Sequence, residues 1–287
     1  MVDLNGTFVA EENAHLSIHN RGFSYGDALF ETIRVIDGKI VFWEDHYFRL
    51  MASMRMMRME IPMKFSPEHL EERILSLVEK NGLLQNSARV NIHVHRQSGG
   101  FYKPETRKIG YIIKAAPLKE QFYTIAEGDY PIELFKDHYV QSGILSTIKS
   151  NNRLVNVLGS IYAEENGYAN CLLLNEKKSV VEALNGNLFL VKGKTLKTAA
   201  LAEGCLNGII RKKLIEIIRK TDYQIEETKI SPFELQKSDE LFITNVITGI
   251  RPITHYRKTK FDDKVSRVLL AKLNTLARLG DAVLTAN

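Results

Sequence analysis

Two residues of this chain stand out for chemistry: Lys149, in Ser146-Thr147-Ile148-Lys149-Ser150-Asn151-Asn152-Arg153, and Glu182, in Val180-Val181-Glu182-Ala183-Leu184-Asn185-Gly186-Asn187-Leu188-Phe189. A lysine just ahead of a helix, partly buried or beside a cation such as Arg153, can lose its proton at neutral pH and attack a carbonyl. A carboxylate after two apolar strand residues stays ionised when it faces a cationic ring nitrogen, which it then keeps protonated. A hairpin surface position is the plainer alternative for Glu182. Asn207-Gly208-Ile209-Ile210-Arg211 opens a helix, and its glycine lets backbone N–H groups close on an anion at the positive end of the helix dipole. Arg49, in Glu44-Asp45-His46-Tyr47-Phe48-Arg49-Leu50, is a cation in an otherwise apolar helical face, suited to the same anion or to a solvated ion pair.

These groups need a scaffold that brings distant segments together. At 287 residues the chain can bury a large core and form two domains, and its 44% hydrophobic and 25% charged content is that of a globular protein. The net charge of +5 is mild and its basic residues are interleaved with acids, so a nucleic-acid footprint would need a local basic patch that the sequence does not show, and small anionic ligands fit this balance better. Cys171 and Cys205 lack metal or redox spacing and read as free thiols of a reducing compartment. The N-terminus lacks a signal pattern and no apolar run reaches the roughly 20 residues of a membrane span, so a cytoplasmic protein is expected.

Residues 28–42 alternate as two strands about Asp37-Gly38, and a helix follows from Trp43 to Arg58, its methionines filling core. Ser66-Pro67 caps a helix ending at Asn81-Gly82; strands run from Ala88 to His95 and from Ile109 to Ala115. Patterning weakens between Ala116 and Asp137. Beyond it a helix spans 152–166, strands 171–200, and a helix 206–220; Ser231-Pro232-Phe233-Glu234 reads as a capping box, and strands at 240–244 and 253–256 precede a helix over 262–279. The expected class is α+β: a small N-terminal domain over 1–118, a linker over 119–135, and a larger strand-rich domain over 136–287 that carries Lys149.

Several familiar signatures fail. Gly193-Lys194-Thr195 lacks the upstream glycine of a phosphate loop, Leu188 standing in its place, and reads as a hairpin turn. His93 and His95 share a strand face without a third ligand, so no metal site is expected; they read as strand histidines satisfied by neighbours, with a substrate contact from one of them left open. An aldehyde for a lysine, a ring nitrogen for an acid and a phosphate for an arginine and a helix start are together the requirements of pyridoxal 5'-phosphate.

Arg21-Gly22-Phe23-Ser24-Tyr25-Gly26-Asp27-Ala28-Leu29-Phe30-Glu31-Thr32, the Lys149 run, Glu182 to Phe189, Gly204 to Arg211 and Asp239 to Asn245, in that order, resemble the class IV aminotransferase family of fold-type IV pyridoxal phosphate enzymes. That family includes branched-chain and D-amino acid aminotransferases and 4-amino-4-deoxychorismate lyases. The resemblance implies a small N-terminal α/β sandwich domain, a larger C-terminal pseudo-barrel and a homodimer. It implies Lys149 as Schiff-base lysine and proton carrier, Glu182 as partner of the pyridine nitrogen, and Arg49 with the helix start at Gly208, Ile209 and Ile210 as phosphate binders. In place of the family's Gly-Thr-Ala-like turn stands Asn245-Val246-Ile247, where the backbone of Val246 and Ile247 is expected to serve. Tyr25, Phe30 and Arg96 are expected to border the substrate, Arg96 taking its carboxylate. Asn91-Ile92-His93-Val94-His95-Arg96 departs from the Tyr-x-Arg-Pro-like run of the branched-chain enzymes. The Lys149-Ser150-Asn151-Asn152-Arg153-Leu154 run, Asn207-Gly208 and Asn245 are similar to the lyase. The resemblance therefore favours a lyase releasing 4-aminobenzoate and pyruvate for folate synthesis, with an amino acid aminotransferase as the alternative and a non-catalytic pyridoxal phosphate-binding protein as a remote one.

Overall fold

The computed structural model describes residues 1–280 as an α+β chain of two compact units. Among the described residues, the first contains residues 1–122 together with Ile148–Asn152; the second contains Tyr123–Thr147 and residues 153–280.

In the first unit, β1 (Val2–Leu4), β2 (Thr7–Val9), a short helix α1 (Arg21–Tyr25), β3 (Ala28–Ile36), β4 (Lys39–Ile40), helices α2 (Trp43–Met56) and α3 (Pro67–Lys80), β5 (Ala88–Arg96) and β6 (Ile109–Pro117) follow in order. The six strands form one antiparallel sheet in the order β2-β1-β6-β5-β3-β4. Its central register sets Phe30 opposite His93 and Thr32 opposite Asn91. Because strand side chains alternate, Leu29, Ile33, Val90, Ile92, Val94 and Ile113 turn to one face and build the core with Leu50, Met51 and Met54 of α2 and Leu70, Ile74 and Leu77 of α3. Local chemistry marks the joints. Asp37 and Gly38 both take positive φ (47° and 70°), the requirement of a tight β3–β4 turn, and the Ser66 side chain accepts the His69 N–H at the start of α3.

The second unit comprises β7 (Pro131–Val140), α4 (Leu154–Glu165), β8 (Asn170–Asn175), β9 (Val180–Ala183), β10 (Asn187–Lys192), β11 (Thr195–Ala199), α5 (Ile209–Ile218), β12 (Gln224–Thr228), α6 (Pro232–Leu235), β13 (Glu240–Asn245), β14 (Gly249–Pro252), β15 (His255–Tyr256), β16 (Thr259–Lys260) and α7 (Lys264–Leu279). They make two five-stranded sheets, β12-β11-β10-β13-β14 and β16-β15-β7-β8-β9. Leu172, Leu173, Val180, Leu188, Leu190, Leu241 and Ile243 fill a shared core. The capping box at Ser231 forms: Glu234 accepts the Ser231 N–H while the Ser231 hydroxyl accepts the Phe233 N–H.

Two features depart from the sequence expectation. Strand β7 begins inside the span read as linker; a proline at its first residue hides the pattern, and parallel pairing with β8 and β15 supplies its register. Residues 148–152, assigned to the second domain from sequence, make their contacts in the first unit, because their backbone pairs with the start of β3.

Candidate active site

Lys149 is positioned by its backbone. The Phe30 N–H donates to the Lys149 carbonyl (2.9 Å), the Asn151 N–H donates to the Ala28 carbonyl (3.0 Å), and Leu29 and Ser150 form an antiparallel bridge. Ile148, one residue earlier, is buried in the first unit's core, so the half-buried Lys149 leaves that core on the alternate phase. Its Nζ lies 4.2 Å from the centre of the Phe30 ring, a cation–π contact that holds the amine at the sheet face away from α2 and α3. Phe30 in turn stacks on His93 at 5.8 Å with 14° between the planes. The structure thus joins Lys149 and Phe30, two of the residues expected at the site.

Arg49 comes from α2, on the opposite face of the same sheet. Its Nε and Nη2 donate to the two oxygens of Glu31 at 2.8 and 2.6 Å, a two-pronged match of guanidinium to carboxylate. His46, one helical turn earlier, places Nδ1 2.8 Å from Glu31 Oε2. Glu31 and His46 are fully buried, and Arg49 is only 10% exposed. Burial pushes the Glu31 carboxyl up, but the Arg49 charge and the hydrogen bonds from His46 and Arg49 outweigh it and hold it at about 2. Burial holds His46 below its ordinary value, opposed by its hydrogen bond to Glu31, so the imidazole is neutral and donates from Nδ1. Its buried Nε2 has no partner among the described residues, which fits an unprotonated nitrogen. Glu31 and His46 escaped the functional reading of the sequence. Their signal was an acid in the apolar phase of a strand, between Leu29 and Ile33, and a histidine three residues before an arginine on one helix face.

Arg96 occupies a different place from the one expected. It is 6% exposed; Nε donates to Asp27 at 2.9 Å, Nη1 to the Arg58 carbonyl at 3.2 Å and Nη2 to the Met57 carbonyl at 2.6 Å. The guanidinium is a clamp tying the end of β5 to the chain after α2, rather than a group presented to a ligand. Asp27 also accepts from Arg21 Nε at 3.0 Å, and Arg21 Nη1 donates to the carbonyls of Gly99, Gly100 and Phe101. Tyr25 is 40% exposed, under the Arg21 guanidinium and 5.6 Å from the Tyr102 ring.

In the second unit Glu182 sits on β9, 5% exposed, with Oε2 accepting the Leu206 N–H at 2.8 Å. Asn187, at the start of β10, donates to the Leu206 carbonyl at 2.8 Å and lies 3.5 Å from the same Glu182 oxygen. Leu206 leads into Gly208, which caps α5, so the carboxylate and the helix start are linked through one backbone segment. A Cβ on Gly208 would fall 2.0 Å from Asn187 Oδ1, so a larger residue there would have to displace the Asn187 side chain; the φ of −72° is ordinary. The N–H groups of Ile209 and Ile210 are first-turn donors of α5 without an intrahelical acceptor. Glu182, Gly208, Ile209 and Ile210 are therefore brought together. At the late turn, the Asn245 side chain accepts the N–H groups of Ile247 (3.0 Å) and Thr248 (2.9 Å), so the Ile247 donor expected for a phosphate is engaged within the turn. Val246 is buried and its carbonyl accepts the Tyr123 hydroxyl.

Cys171 and Cys205 are buried free thiols. Among the described residues there is no cluster of metal-ligating side chains and no helix long and apolar enough to cross a membrane. The family model for amino-transferase class IV matches residues 28–256. The chain is 30% identical over 260 residues to a protein of Methanocaldococcus jannaschii provisionally named branched-chain-amino-acid aminotransferase (87% of this chain, 85% of that one). It is 28% identical over 280 residues to a D-alanine aminotransferase of Listeria monocytogenes (94% and 92%), and 25% identical over 279 residues to an aminodeoxychorismate lyase of Vibrio harveyi (91% and 96%). In fold it resembles the branched-chain amino acid aminotransferase of Escherichia coli (TM-score 0.85, 22% identity, 96% of this chain and 93% of that one). A Legionella pneumophila protein provisionally named 4-amino-4-deoxychorismate lyase is also similar in fold (TM-score 0.82, 24% identity, 92% of this chain and 96% of that one).

Proposed function

This chain belongs to the class IV aminotransferases, pyridoxal phosphate-dependent enzymes that act as transaminases or lyases, and we propose that its own reaction is elimination, with 4-amino-4-deoxychorismate as substrate and 4-aminobenzoate and pyruvate as products. The residues present fit the cofactor. An amine is held at a sheet face, a buried acid is wired to a helix start whose glycine leaves no room for a Cβ, and two first-turn N–H groups lack intrahelical acceptors.

When bound, pyridoxal phosphate supplies a carbonyl for the substrate amine and a ring that accepts electrons. In this reading Lys149 Nζ would hold the carbonyl of the cofactor and, once free, would take the proton from the amine-bearing carbon of the substrate. Glu182 keeps the ring nitrogen protonated, with the Leu206 N–H fixing its orientation. Arg49 and the N–H groups of Ile209 and Ile210 hold the phosphate, with Glu31 fixing the guanidinium. As the C–H bond breaks, the ether C–O bond at the neighbouring carbon breaks too. Pyruvate would leave as its enol carrying the proton that Lys149 returns, and the substrate's own six-membered ring, having lost that proton and the ether oxygen, would become the aromatic ring of 4-aminobenzoate without any oxidant.

The observation that carries elimination over transfer is the polar face of β5 beside Lys149. Opposite Phe30 it presents His93, flanked by Asn91 and His95, where an amino acid transaminase of this family is expected to hold an arginine; Arg89 shares the face but lies at its far end, opposite Arg34, and Arg96 is spent on Asp27 and two carbonyls. A transaminase remains the second reading, favoured by the higher identity to the M. jannaschii and L. monocytogenes proteins. Incubation with aminodeoxychorismate, and separately with amino acids plus 2-oxoglutarate, distinguishes them. Release of 4-aminobenzoate without an amino acceptor supports the lyase; acceptor-dependent glutamate formation sinks it. The homodimer expected of the family belongs to the same proposal and is checked by sedimentation.

A further inference from the structure

The two strand histidines have different surroundings. His95 Nδ1 lies 3.2 Å from the Asn20 amide and 3.1 Å from the Arg96 carbonyl. The His93 ring has no hydrogen-bond partner among the described residues, although it is half-buried and fixed by stacking on Phe30. Its neighbours on that face are cations. Burial lowers its affinity for a proton first, and the charges of Lys114 and then Lys149 lower it further, with no carboxylate opposing them. Lys114, on β6, pairs with Asn91 across the sheet, so its side chain leaves on the same face as those of His93 and Phe30. It is exposed and has no ion-pair partner among the described residues. Acids elsewhere in this sheet do not serve the face: Glu31 is on the opposite side and fully engaged with Arg49 and His46.

We propose that His93 is a specificity-determining residue that donates a ring N–H to a carboxylate of the substrate, with Lys114 as the second, charged contact. This rests on the reading of Lys149 as the reacting amine, because the subsite lies one ring away from its Nζ through Phe30. A neutral imidazole suits the task. It offers a directed donor without a third positive charge next to a lysine that must give up its own proton. A substrate carboxylate supplies the anion that this face lacks, and Phe30 sets the ring plane so that the donor direction is predetermined.

The test is equilibrium titration of the pyridoxal phosphate-loaded protein with 4-aminobenzoate, with 2-oxoglutarate and with 4-aminobenzamide, in the wild type, His93→Phe and Lys114→Met. Phenylalanine keeps the stacking on Phe30 and removes both ring nitrogens; methionine keeps the lysine stem. For whichever carboxylate the wild type binds, affinity is expected to fall about tenfold or more in His93→Phe and by about threefold in Lys114→Met, with amide binding changed less than about twofold. The visible absorbance band of the lysine-bound cofactor stays in place in both variants, which separates a lost contact from a lost fold. Unchanged carboxylate affinity in both variants, or a wild type that binds neither carboxylate, overturns the proposal. A wild type without that band instead overturns the reading of Lys149, and the same titration of the colourless protein still decides whether His93 and Lys114 bind a carboxylate.

Discussion

Arg49 and Glu31 meet through two parallel N–H···O contacts of 2.8 and 2.6 Å across the face between α2 and β3. The pair is almost wholly buried, so removing one charge strands the other. For Glu31→Gln we predict a loss of about 3–5 kcal/mol of stability, the usual result of breaking a buried pair. Arg49 would also lose its fixed direction, so cofactor affinity falls with it. Urea unfolding and titration with pyridoxal phosphate measure the two separately. A variant with full cofactor affinity would remove Arg49 from the phosphate site.

The same pair imposes a pH dependence. Glu31 is held at about 2 against an ordinary 4.5, so the folded state gains stability above pH 4.5, of order 3 kcal/mol, and loses it progressively as pH falls toward 2. His46 acts earlier. Its folded-state proton affinity is depressed, so the unfolded chain takes up a proton below about pH 6.5 that the folded chain refuses, and stability drops from there downward. Urea midpoints measured from pH 8 down to about pH 2 should therefore decline in two stages, the first below about pH 6.5 and the second below about pH 4.5. In His46→Gln the decline between pH 6.5 and 5 should be shallower than in wild type; an identical slope would show that His46 is not buried neutral.

Where local chemistry decides structure, the sequence was readable. Asp37-Gly38, Ser66-Pro67 and Ser231-Pro232-Phe233-Glu234 each carry their own reason for a turn or a helix start, and each forms. The five ordered segments from Arg21 to Asn245, with the Lys149 run, Glu182 and Gly208 among them, were likewise enough to suggest the family. What stayed hidden is set by partners far away in sequence. Strand β7 owes its register to β8 and β15, so Pro131 and the uneven alternation after it looked like linker. Arg96 reads as an available cation at a strand end, and only the approach of Asp27 and of the Met57 and Arg58 carbonyls shows that it is spent. Glu31 lies between these cases. An acid in the apolar phase of a strand demands a cation, but nothing in the sequence says that the cation is Arg49.

The clamp at Arg96 predicts a separation of stability from specificity. Lysine keeps the charge but cannot reach Asp27 and two carbonyls at once from a planar fork. Arg96→Lys should therefore lose about 2–4 kcal/mol in urea unfolding while the folded fraction retains its affinity for carboxylate ligands. A large rise in KM for a carboxylate substrate with unchanged stability would return Arg96 to the substrate-binding role expected from sequence.

Gly208 joins the acid and the helix start, and its substitution should disturb both. The Cβ of Gly208→Ala would overlap Asn187 Oδ1, and Asn187 is the residue that holds the Leu206 carbonyl, whose N–H in turn orients Glu182. Backbone strain is not the cause, since alanine tolerates a φ of −72°. The cost must appear as displacement: Asn187 swings away, Leu206 loosens, and Glu182 loses its fixed donor. We expect a stability loss of about 1–3 kcal/mol, typical of overpacking, and cofactor affinity lowered by about tenfold. Asn187→Ala in the same chain makes room for the new methyl group and tests the cause. If Gly208→Ala costs no further stability in the Asn187→Ala background, the overlap is confirmed, and a cofactor affinity that stays low shows that Asn187 is needed to orient Glu182. If Gly208→Ala costs as much in that background as in wild type, the steric link between Gly208 and Asn187 is not what makes glycine necessary.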